Sequence, residues 1–181
     1  MGLLGGLVSS TATTVVFSRH AHADAALART AMVVIMASSL MVLLRLMVMT
    51  AVVAPDVIEP LAKVFAGGLV FGLAATAFGW RRLEAQGALP MHEVRIPTEI
   101  RTALGFGALY AVVLLCSAWL SDVAGAKGMY AVALASGLTD VDAITLSSLR
   151  LFSLETLSQG QAVTSIALAV LSNLTFKAGL I

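Results

Sequence analysis

Long apolar runs dominate this chain and alternate with short groups of charged residues and prolines. A helix that crosses a bilayer needs roughly 20 mainly apolar residues, because each residue rises about 1.5 Å and the hydrocarbon core is about 30 Å thick. Runs of about this length predict six membrane helices, at residues 1–18, 30–54, 61–80, 102–120, 128–148 and 161–180. The pattern therefore predicts an all-α, polytopic transmembrane helix bundle that forms a single domain over residues 1–181.

Positive charge is concentrated in three of the connections between these segments. The basic connections contain Arg19, His20, His22 and Arg29, then Arg81, Arg82, Arg95 and Arg101, and finally Arg150. Because cytoplasmic loops collect Arg and Lys, a six-crossing path puts these connections in the cytoplasm and the amino terminus on the opposite side. Pro90 and Pro97, with Gly87, predict that residues 81–101 form a cytoplasmic loop or a surface helix rather than a separate domain.

Composition agrees with a location in the lipid bilayer and narrows the classes of function. The 181 residues are 59% hydrophobic and 12% charged, with a mean hydropathy of +0.97, whereas a soluble domain usually carries about 25% charged residues. Eleven Lys and Arg against ten Asp and Glu leave a net charge of +1. This balance argues against nucleic-acid binding through a basic face. The single cysteine, Cys116, permits no internal disulfide.

Two carboxylates, Asp140 and Asp142, lie inside the fifth predicted segment. A carboxylate at the membrane centre costs at least about 2.5–3.5 kcal/mol on insertion scales, so it needs a partner or a function. Side chains two residues apart point to nearly opposite sides of a helix, and both can serve one site only if the backbone breaks around residues 136–139. Such a break would allow an oxygen cage for Mg²⁺, Ca²⁺ or Na⁺. The neutral oxygens would come from Ser9, Ser10, Thr11, Thr13 and Thr145, with Asn173 and Lys177 nearby on the sixth segment.

Two structural interpretations of the same aspartates stay open. Thr139 and Asp142 are three residues apart, which is the spacing of a capping box at the start of a helix. Either aspartate could instead form an intramembrane ion pair with Arg45 or Lys177, the cations inside the second and sixth segments. In both interpretations the carboxylates stabilise the fold and bind no ligand.

The residues around the aspartates recur near the start of the chain. Residues 6–19 aligned with 137–150 match at five of fourteen positions, and each copy is followed by an apolar helix that contains a polar pair. This predicts a parallel internal repeat with interrupted helices, as transporters carry around their substrate sites. Alternatively, small residues recur because they let membrane helices approach closely, and the hydroxyls donate to carbonyls one turn earlier.

The remaining motifs indicate packing or solvation. Gly68 and Gly72 form a GxxxG pattern in an apolar run, which predicts a helix–helix contact within the bundle or between protomers. His20, His22 and Asp24 have the composition of a metal site, but histidines in a basic cytoplasmic loop are more often solvated. Neither a Ser/His/Asp arrangement nor a phosphate-binding glycine loop occurs in a suitable sequence context, so we do not expect an enzyme.

Three motifs resemble those of a known family. They read GGLVSSTATT at residues 5–14, SGLTDVDAIT at 136–145 and SNLTFKAG at 172–179. Together they resemble the carboxy-terminal domain of unknown function found in MgtC/SapB-like bacterial membrane proteins. The resemblance implies a bacterial inner-membrane location and an upstream MgtC-like domain as a partner, but no activity and no catalytic residue. Longer family members carry further helices before the first motif, so the chain is compatible with a fragment.

The sequence leaves two functional hypotheses from different classes. In the first, an oligomeric inner-membrane protein binds or transports a small cation or solute at a polar midplane site around Asp140 and Asp142. In the second, a non-transporting membrane module regulates or assembles with partner membrane proteins through Gly68 and Gly72. We expect no cofactor beyond a bound cation such as magnesium or sodium.

Overall fold

Helices make up the described part of the chain in this computed structural model, which covers residues 10, 14, 15, 17, 18, 25–84 and 100–180. In chain order they are α1 (Ala25–Val53), a 3-10 turn (Pro55–Val57), α2 (Ile58–Glu84), α3 (Ile100–Gly137), α4 (Val141–Ser153) and α5 (Gln159–Leu180). None of the residues in these ranges forms a strand. The predicted all-α class is therefore confirmed.

Three helical stretches are long and apolar enough to cross a membrane. They are Thr30–Val53 in α1, Pro55–Arg82 through the 3-10 turn and α2, and Gln159–Gly179 in α5. These stretches agree with the second, third and sixth predicted segments. The fourth predicted segment contains a shorter apolar stretch, Ala111–Leu120 of α3, which is not among the three long ones. The first predicted segment, residues 1–18, lies mostly outside the described residues, so the structure supports three of the six predicted spans.

The fifth predicted segment is not one continuous helix. α3 ends at Gly137, residues 138–139 form a turn, Asp140 is extended with φ −150° and ψ 128°, and α4 begins at Val141. The predicted segment over residues 128–148 is therefore divided by an interruption. Its physical cause is the Asp140 side chain, which accepts from amides that a continuous helix would bond to backbone carbonyls.

The predicted cytoplasmic loop at residues 81–101 begins inside a helix. Arg81 and Arg82 belong to the last turn of α2, and the part of this stretch between α2 and α3 lies outside the described residues. The Arg82 guanidinium lies over the Phe78 ring, 4.5 Å from its centroid. Cations also interact favourably with the negative end of a helix dipole. α2 ends at Glu84, four residues beyond the predicted end of the third segment at residue 80.

The connection expected around residues 121–127 is a sharp bend inside α3. Gly125 has φ +56° and ψ −142°, a conformation that L side chains rarely adopt. A Cβ placed on Gly128 would lie 2.8 Å from the carbonyl carbon of Leu120, although eight residues of straight helix would separate these positions by about 12 Å. The chain therefore turns back at Gly125, and α3 consists of two helical arms that meet there.

The chain divides into two compact units, each described by itself. The first contains the described parts of Met1–Arg45, Phe65–Ile96 and Gly179–Ile181. The second contains Leu46–Val64 and the described part of Pro97–Ala178. Both arms of α3, all of α4 and nearly all of α5 therefore belong to the second unit.

In the first unit, glycines of α2 allow α1 to approach closely. A Cβ added to Gly68 would lie 3.9 Å from Leu43, whereas one added to Gly72 would lie 2.7 Å from Leu40. Residue numbers rise along α2 as they fall along α1, so the two helices are antiparallel here. Gly68 and Gly72 thus face α1 of the same chain, and a contact of these glycines between protomers stays a prediction.

In the second unit, α4 is buried on almost every side. Within residues 141–149 all positions except Leu146 are buried, and four of the buried side chains are polar: Asp142, Thr145, Ser147 and Ser148. A helix that is covered around its whole circumference lies in the interior of a bundle. Its polar side chains are therefore removed from solvent and lipid alike.

The connection from α4 to α5 is short and well hydrogen-bonded. After α4, Glu155 has φ +58°; its amide donates to the Phe152 carbonyl at 2.9 Å and the next amide donates to Leu151 at 3.0 Å. This is a Schellman motif. α5 begins with a capping box, in which the Ser158 amide donates to Gln161 Oε1 at 2.8 Å and the Gln161 amide donates to Ser158 Oγ at 3.3 Å. Both helix ends are thus specified locally.

Candidate functional site

The end of α3 packs backbone against backbone on α5. A Cβ on Gly137 would lie 2.7 Å from the Cα of Ala169 and would also overlap its carbonyl oxygen. Asn173 Nδ2 donates to the Gly137 carbonyl at 3.0 Å, and Ser172 Oγ donates to the Leu134 carbonyl at 2.7 Å. The last carbonyls of a helix have no partner inside that helix. Side chains of α5 therefore satisfy two of the carbonyl groups that the interruption exposes.

This pairing determines the direction of α4. Leu134 pairs with Ser172 and Gly137 with Ala169, so α5 runs antiparallel to the second arm of α3. α5 begins at Gln159, ten residues before Ala169, which is about 15 Å further along its axis. Because the connection over residues 154–158 is short, α4 must end near that point. The second arm of α3 and α4 therefore run in the same direction, as two halves of one interrupted helix.

The interruption lies near the middle of this helix. α4 has 13 residues, and the second arm of α3, residues 126–137, is of similar length. Together the two halves are about 40 Å long, which is enough to cross a hydrocarbon core of about 30 Å. The interruption that the two-aspartate hypothesis requires is thus present, at residues 138–140.

Asp140 is the N-cap of α4. Its Oδ1 accepts a hydrogen bond from the Asp142 amide at 3.0 Å, and its Oδ2 accepts one from the Ala143 amide at 3.3 Å. The alternative that Thr139 caps this helix is wrong, because the Thr139 hydroxyl donates to the Ser136 carbonyl at 3.1 Å. The extended backbone of Asp140 is what brings its side chain to the second and third amides of the helix.

The two aspartates therefore have different environments at the same helix end. Asp140 is half-buried, and both of its oxygens accept from amides of α4, where the positive end of the helix dipole favours its charge. Asp142 lies in the first turn of α4 with only 8% of its surface exposed. Asp142 is thus the more buried of the two carboxylates, whereas Asp140 caps α4.

Thr145 differs from most of the other buried hydroxyls in the described part of the chain. Ser147, Ser148 and Thr50 each donate to the backbone carbonyl four residues earlier, at 2.8 Å in every case. Thr145 is 0% exposed, and its Oγ1 has no hydrogen-bond partner among the described residues. A buried polar group without a partner costs about 1–3 kcal/mol. Thr145 is therefore a candidate for contact with a ligand.

Asp142 and Thr145 lie on one face of α4. They are three residues apart, a spacing at which helical side chains are neighbours. Helical side chains also tilt toward the amino-terminal end of their helix, which for α4 is the end at the interruption. The structure thus combines a buried carboxylate and a buried hydroxyl on the same side of α4, directly after the break.

Two buried serines of the second unit were not identified from the sequence. Ser117, on the first arm of α3, and Ser165, on α5, are both 0% exposed and have no hydrogen-bond partner within the described part of the chain. No local pattern distinguishes them from the serines that bond to their own helix. Ala169 was also missed, since its significance depends on the approach of Gly137 from another helix.

The hydroxyl cluster near the start of the chain is described only in part. Ser9, Thr11 and Thr13 lie outside the described residues, as do His20, His22 and Asp24. Ser10 is buried in the first unit, and its carbonyl accepts a hydrogen bond from Thr14 Oγ1 at 3.0 Å. This bond is the interaction with the preceding turn that the packing alternative predicts. A contribution of the cluster to a shared ion site stays a prediction.

The structure places Asn173 at the interruption and Lys177 one turn further along α5. Lys177 is 3% exposed. Ion pairing of either aspartate with Lys177 or Arg45 stays a prediction. Within the described residues, no group of three or more His, Cys, Asp or Glu could hold a metal ion, so a cation here would be bound by fewer than three such side chains together with neutral oxygens.

Long apolar helices and a helix interrupted near its middle define an all-α chain that is compatible with a membrane protein. The family model for a domain of unknown function, DUF4010, matches residues 1–181. The chain belongs to the DUF4010 family.

A relative supports this assignment. An uncharacterized protein of Aquifex aeolicus strain VF5 is 30% identical over 181 residues, covering 98% of this chain and 77% of the relative. No solved structure matches the chain. The expected membership in a family of unknown function is confirmed, whereas the MgtC/SapB-like context stays a prediction.

Proposed function

We propose that this chain is a multi-pass protein of the bacterial inner membrane that binds and transports a small cation at the interruption between α3 and α4. The observation that carries the proposal is the pair of buried side chains, Asp142 and Thr145, on one face of α4 directly after the break. Transporters commonly place ion sites at discontinuous helices near the bilayer midplane. A buried carboxylate in such a position is costly and is usually retained for function.

Asp140 has a positioning role in this proposal. Its two oxygens bind the amides of Asp142 and Ala143, so it determines where the first turn of α4 begins. Asn173 has a comparable positioning role for the second arm of α3, because its side-chain amide donates a hydrogen bond to the last carbonyl of that helix. The cation itself would be bound by Asp142, with Thr145 as a neutral ligand. The proposal involves no catalytic step and no cofactor other than the cation.

Thermal unfolding of the detergent-purified full chain tests this proposal. A ligand that binds only the folded state raises its stability by RT ln(1 + [L]/Kd). We expect one cation to stabilise the wild type in a saturable manner and Asp142→Asn to lose this response. The matched control is Asp140→Asn, because asparagine caps helices about as well as aspartate. A cation response that is unchanged in Asp142→Asn contradicts the proposal.

The alternative of a non-transporting assembly module needs a different variant from the one that the sequence suggests. Gly68 and Gly72 already contact α1, so leucine at either position would disturb the first unit before any assembly. Gly67 has no atom within 4 Å of an added Cβ. Gly67→Leu therefore tests packing between protomers: loss of an oligomer on size-exclusion chromatography supports the alternative, and an unchanged profile opposes it.

A further inference from the structure

We infer that the connection between α1 and α2 and the connection between α4 and α5 emerge on the same side of the membrane, opposite the bend at Gly125. This inference rests on the multi-pass membrane protein of the proposed function and specifies the orientation of its second unit. It differs from the six-crossing path that the charge pattern predicts, which puts residues 55–60 and Arg150 on opposite sides. Three observations support it: a hydrogen bond between the two connections, the charges around them, and the length of the interrupted helix.

The two connections contact each other directly. Gln159 Nε2, at the start of α5, donates to the carbonyl oxygen of Asp56 in the 3-10 turn at 2.7 Å, although the two residues are 103 positions apart. Both residues belong to the second compact unit. Groups joined by one hydrogen bond cannot lie on opposite sides of a hydrocarbon core that is about 30 Å thick.

The three helical stretches that are long and apolar enough to cross a membrane all have one end at this contact. Thr30–Val53 ends just before it, Pro55–Arg82 contains Asp56, and Gln159–Gly179 begins with Gln159. These stretches have 21 to 28 residues, which is about 30–40 Å of helix and enough to cross the core from one surface. The contact therefore lies at a membrane surface, and α1 ends on the side where α5 begins.

The charged side chains around this contact indicate an aqueous surface. Five of them are exposed: Asp56, Glu59, Lys63, Arg150 and Glu155. Ionised groups are costly in hydrocarbon, so this end of the unit faces water or lipid headgroups. The positive-inside rule counts Lys and Arg, and it assigns the connection between α4 and α5 to the cytoplasm on the basis of Arg150 alone. A direct contact between the connections is stronger evidence than this single charge.

The bend at Gly125 lies at the opposite end of the interrupted helix. The second arm of α3 and α4 run in the same direction and are together about 40 Å long, so their outer ends lie on opposite surfaces. Asp122 and Lys127, on either side of the bend, are both exposed, as expected for a turn in water. The interruption at residues 138–140 therefore lies between two aqueous surfaces. α4 leads from it to one compartment, and the second arm of α3 leads to the other.

Single-cysteine labelling in bacterial spheroplasts tests this inference. Cys116 is the single cysteine of the sequence, so Cys116→Ala provides a background without thiols. One exposed residue of each connection is then replaced, giving Asp56→Cys, Thr156→Cys and Lys127→Cys. A membrane-impermeant maleimide is added to intact spheroplasts and, in parallel, after permeabilisation. We expect Asp56→Cys and Thr156→Cys to share one pattern, reactive before or only after permeabilisation, and Lys127→Cys to show the opposite pattern.

Cross-linking measures the contact itself and does not depend on the integrity of the spheroplasts. In the same background, Asp56→Cys combined with Gln159→Cys should be joined by a short bismaleimide, with the linked peptides identified by mass spectrometry. Asp56→Cys combined with Lys127→Cys is the matched control and should not be joined, because its thiols lie on opposite surfaces. If both thiols of the first pair react with a simple maleimide but are not cross-linked, the inference is overturned.

The labelling outcomes separate this inference from the proposed function. Any pattern in which Asp56→Cys and Thr156→Cys differ overturns the inference and leaves a multi-pass membrane protein in place. One pattern shared by all three positions overturns the opposite placement of the bend. If alkaline carbonate also extracts the chain from the membranes, the multi-pass protein of the proposed function fails as well.

Discussion

Glycine brings helices together in both units of this protein, but different atoms meet in the two places. In the first unit, the space above Gly72 is filled by the end of the Leu40 side chain. In the second unit, the space above Gly137 is filled by the backbone of Ala169. A leucine methyl group can rotate to another position, whereas a helix backbone cannot move without displacing its neighbours. The contact at the interruption is therefore the less tolerant of the two.

The contacts at Gly72 and Gly137 also differ in hydrogen bonding. The glycine face of α2 packs on aliphatic side chains, so its specificity depends on shape alone. At the interruption, the close approach of α3 and α5 also lets Asn173 reach the Gly137 carbonyl. Removing either the glycine or the amide there exposes a polar backbone group, which is costly wherever water is absent. The difference predicts a graded series of mutational effects.

Gly137→Ala should have the largest effect. Its Cβ would overlap the backbone of Ala169, and forcing extra atoms into a packed interior costs about 1–3 kcal/mol or more when the neighbour cannot yield. We expect a loss of about 3 kcal/mol, measured by reversible denaturant unfolding in detergent. Gly68→Ala is the control, because its Cβ would make an ordinary contact with Leu43 at 3.9 Å. Equal losses of stability in the two variants would mean that the glycine contacts of the two units tolerate an added methyl group equally well.

Asn173→Ala should have the second largest effect. It leaves the Gly137 carbonyl without its side-chain donor, and a buried group left unsatisfied costs about 1–3 kcal/mol. The same unfolding measurement should show a loss of about 2 kcal/mol. Ser172→Ala removes the more exposed bond to Leu134 and should cost less. A larger loss in Ser172→Ala would mean that the Gly137 carbonyl is not the critical acceptor at the break.

Asp140→Ala should destabilise the second unit by about 1 kcal/mol, the usual cost of losing an N-cap. The two amide hydrogen bonds at 3.0 and 3.3 Å would be lost together. Asp140→Asn should retain most of this stability, since the amide oxygen also accepts from an amide. If Asp140→Asn loses as much as Asp140→Ala, the charge of Asp140 rather than its capping bond stabilises the break.

Gly72→Ala should have the smallest effect, below about 1 kcal/mol. The added Cβ would lie 2.7 Å from the Leu40 Cδ2 atom, which can move by rotation of its own side chain. The expected result is a stability close to that of Gly68→Ala in the same assay. A loss of stability in Gly72→Ala as large as that in Gly137→Ala would show that Leu40 cannot move away and that the contact of α1 with α2 is equally intolerant.

The sequence determined the features that depend on local pattern. Hydropathy and length identified the helices at residues 30–54, 61–80 and 161–180, since a long apolar run is sufficient to specify a helix in a bilayer. The need for a break near the aspartates also followed locally, from the opposite directions of side chains at i and i+2. Local pattern was less successful where two neighbouring residues could each cap the same helix. The N-cap of α4 is Asp140 and not Thr139.

The sequence placed Asn173 near the aspartates, but only the tertiary structure decided which atoms meet at the break. Nothing in the sequence around Gly137 indicates that Asn173, 36 positions later, binds its carbonyl or that Ala169 fills the space above it. Such contacts depend on the direction and register of α5 against α3, and these follow from the packing of the whole unit. The same packing left the Thr145 hydroxyl buried without a partner among the described residues, because periodicity specifies which face is buried but not which atoms that face meets.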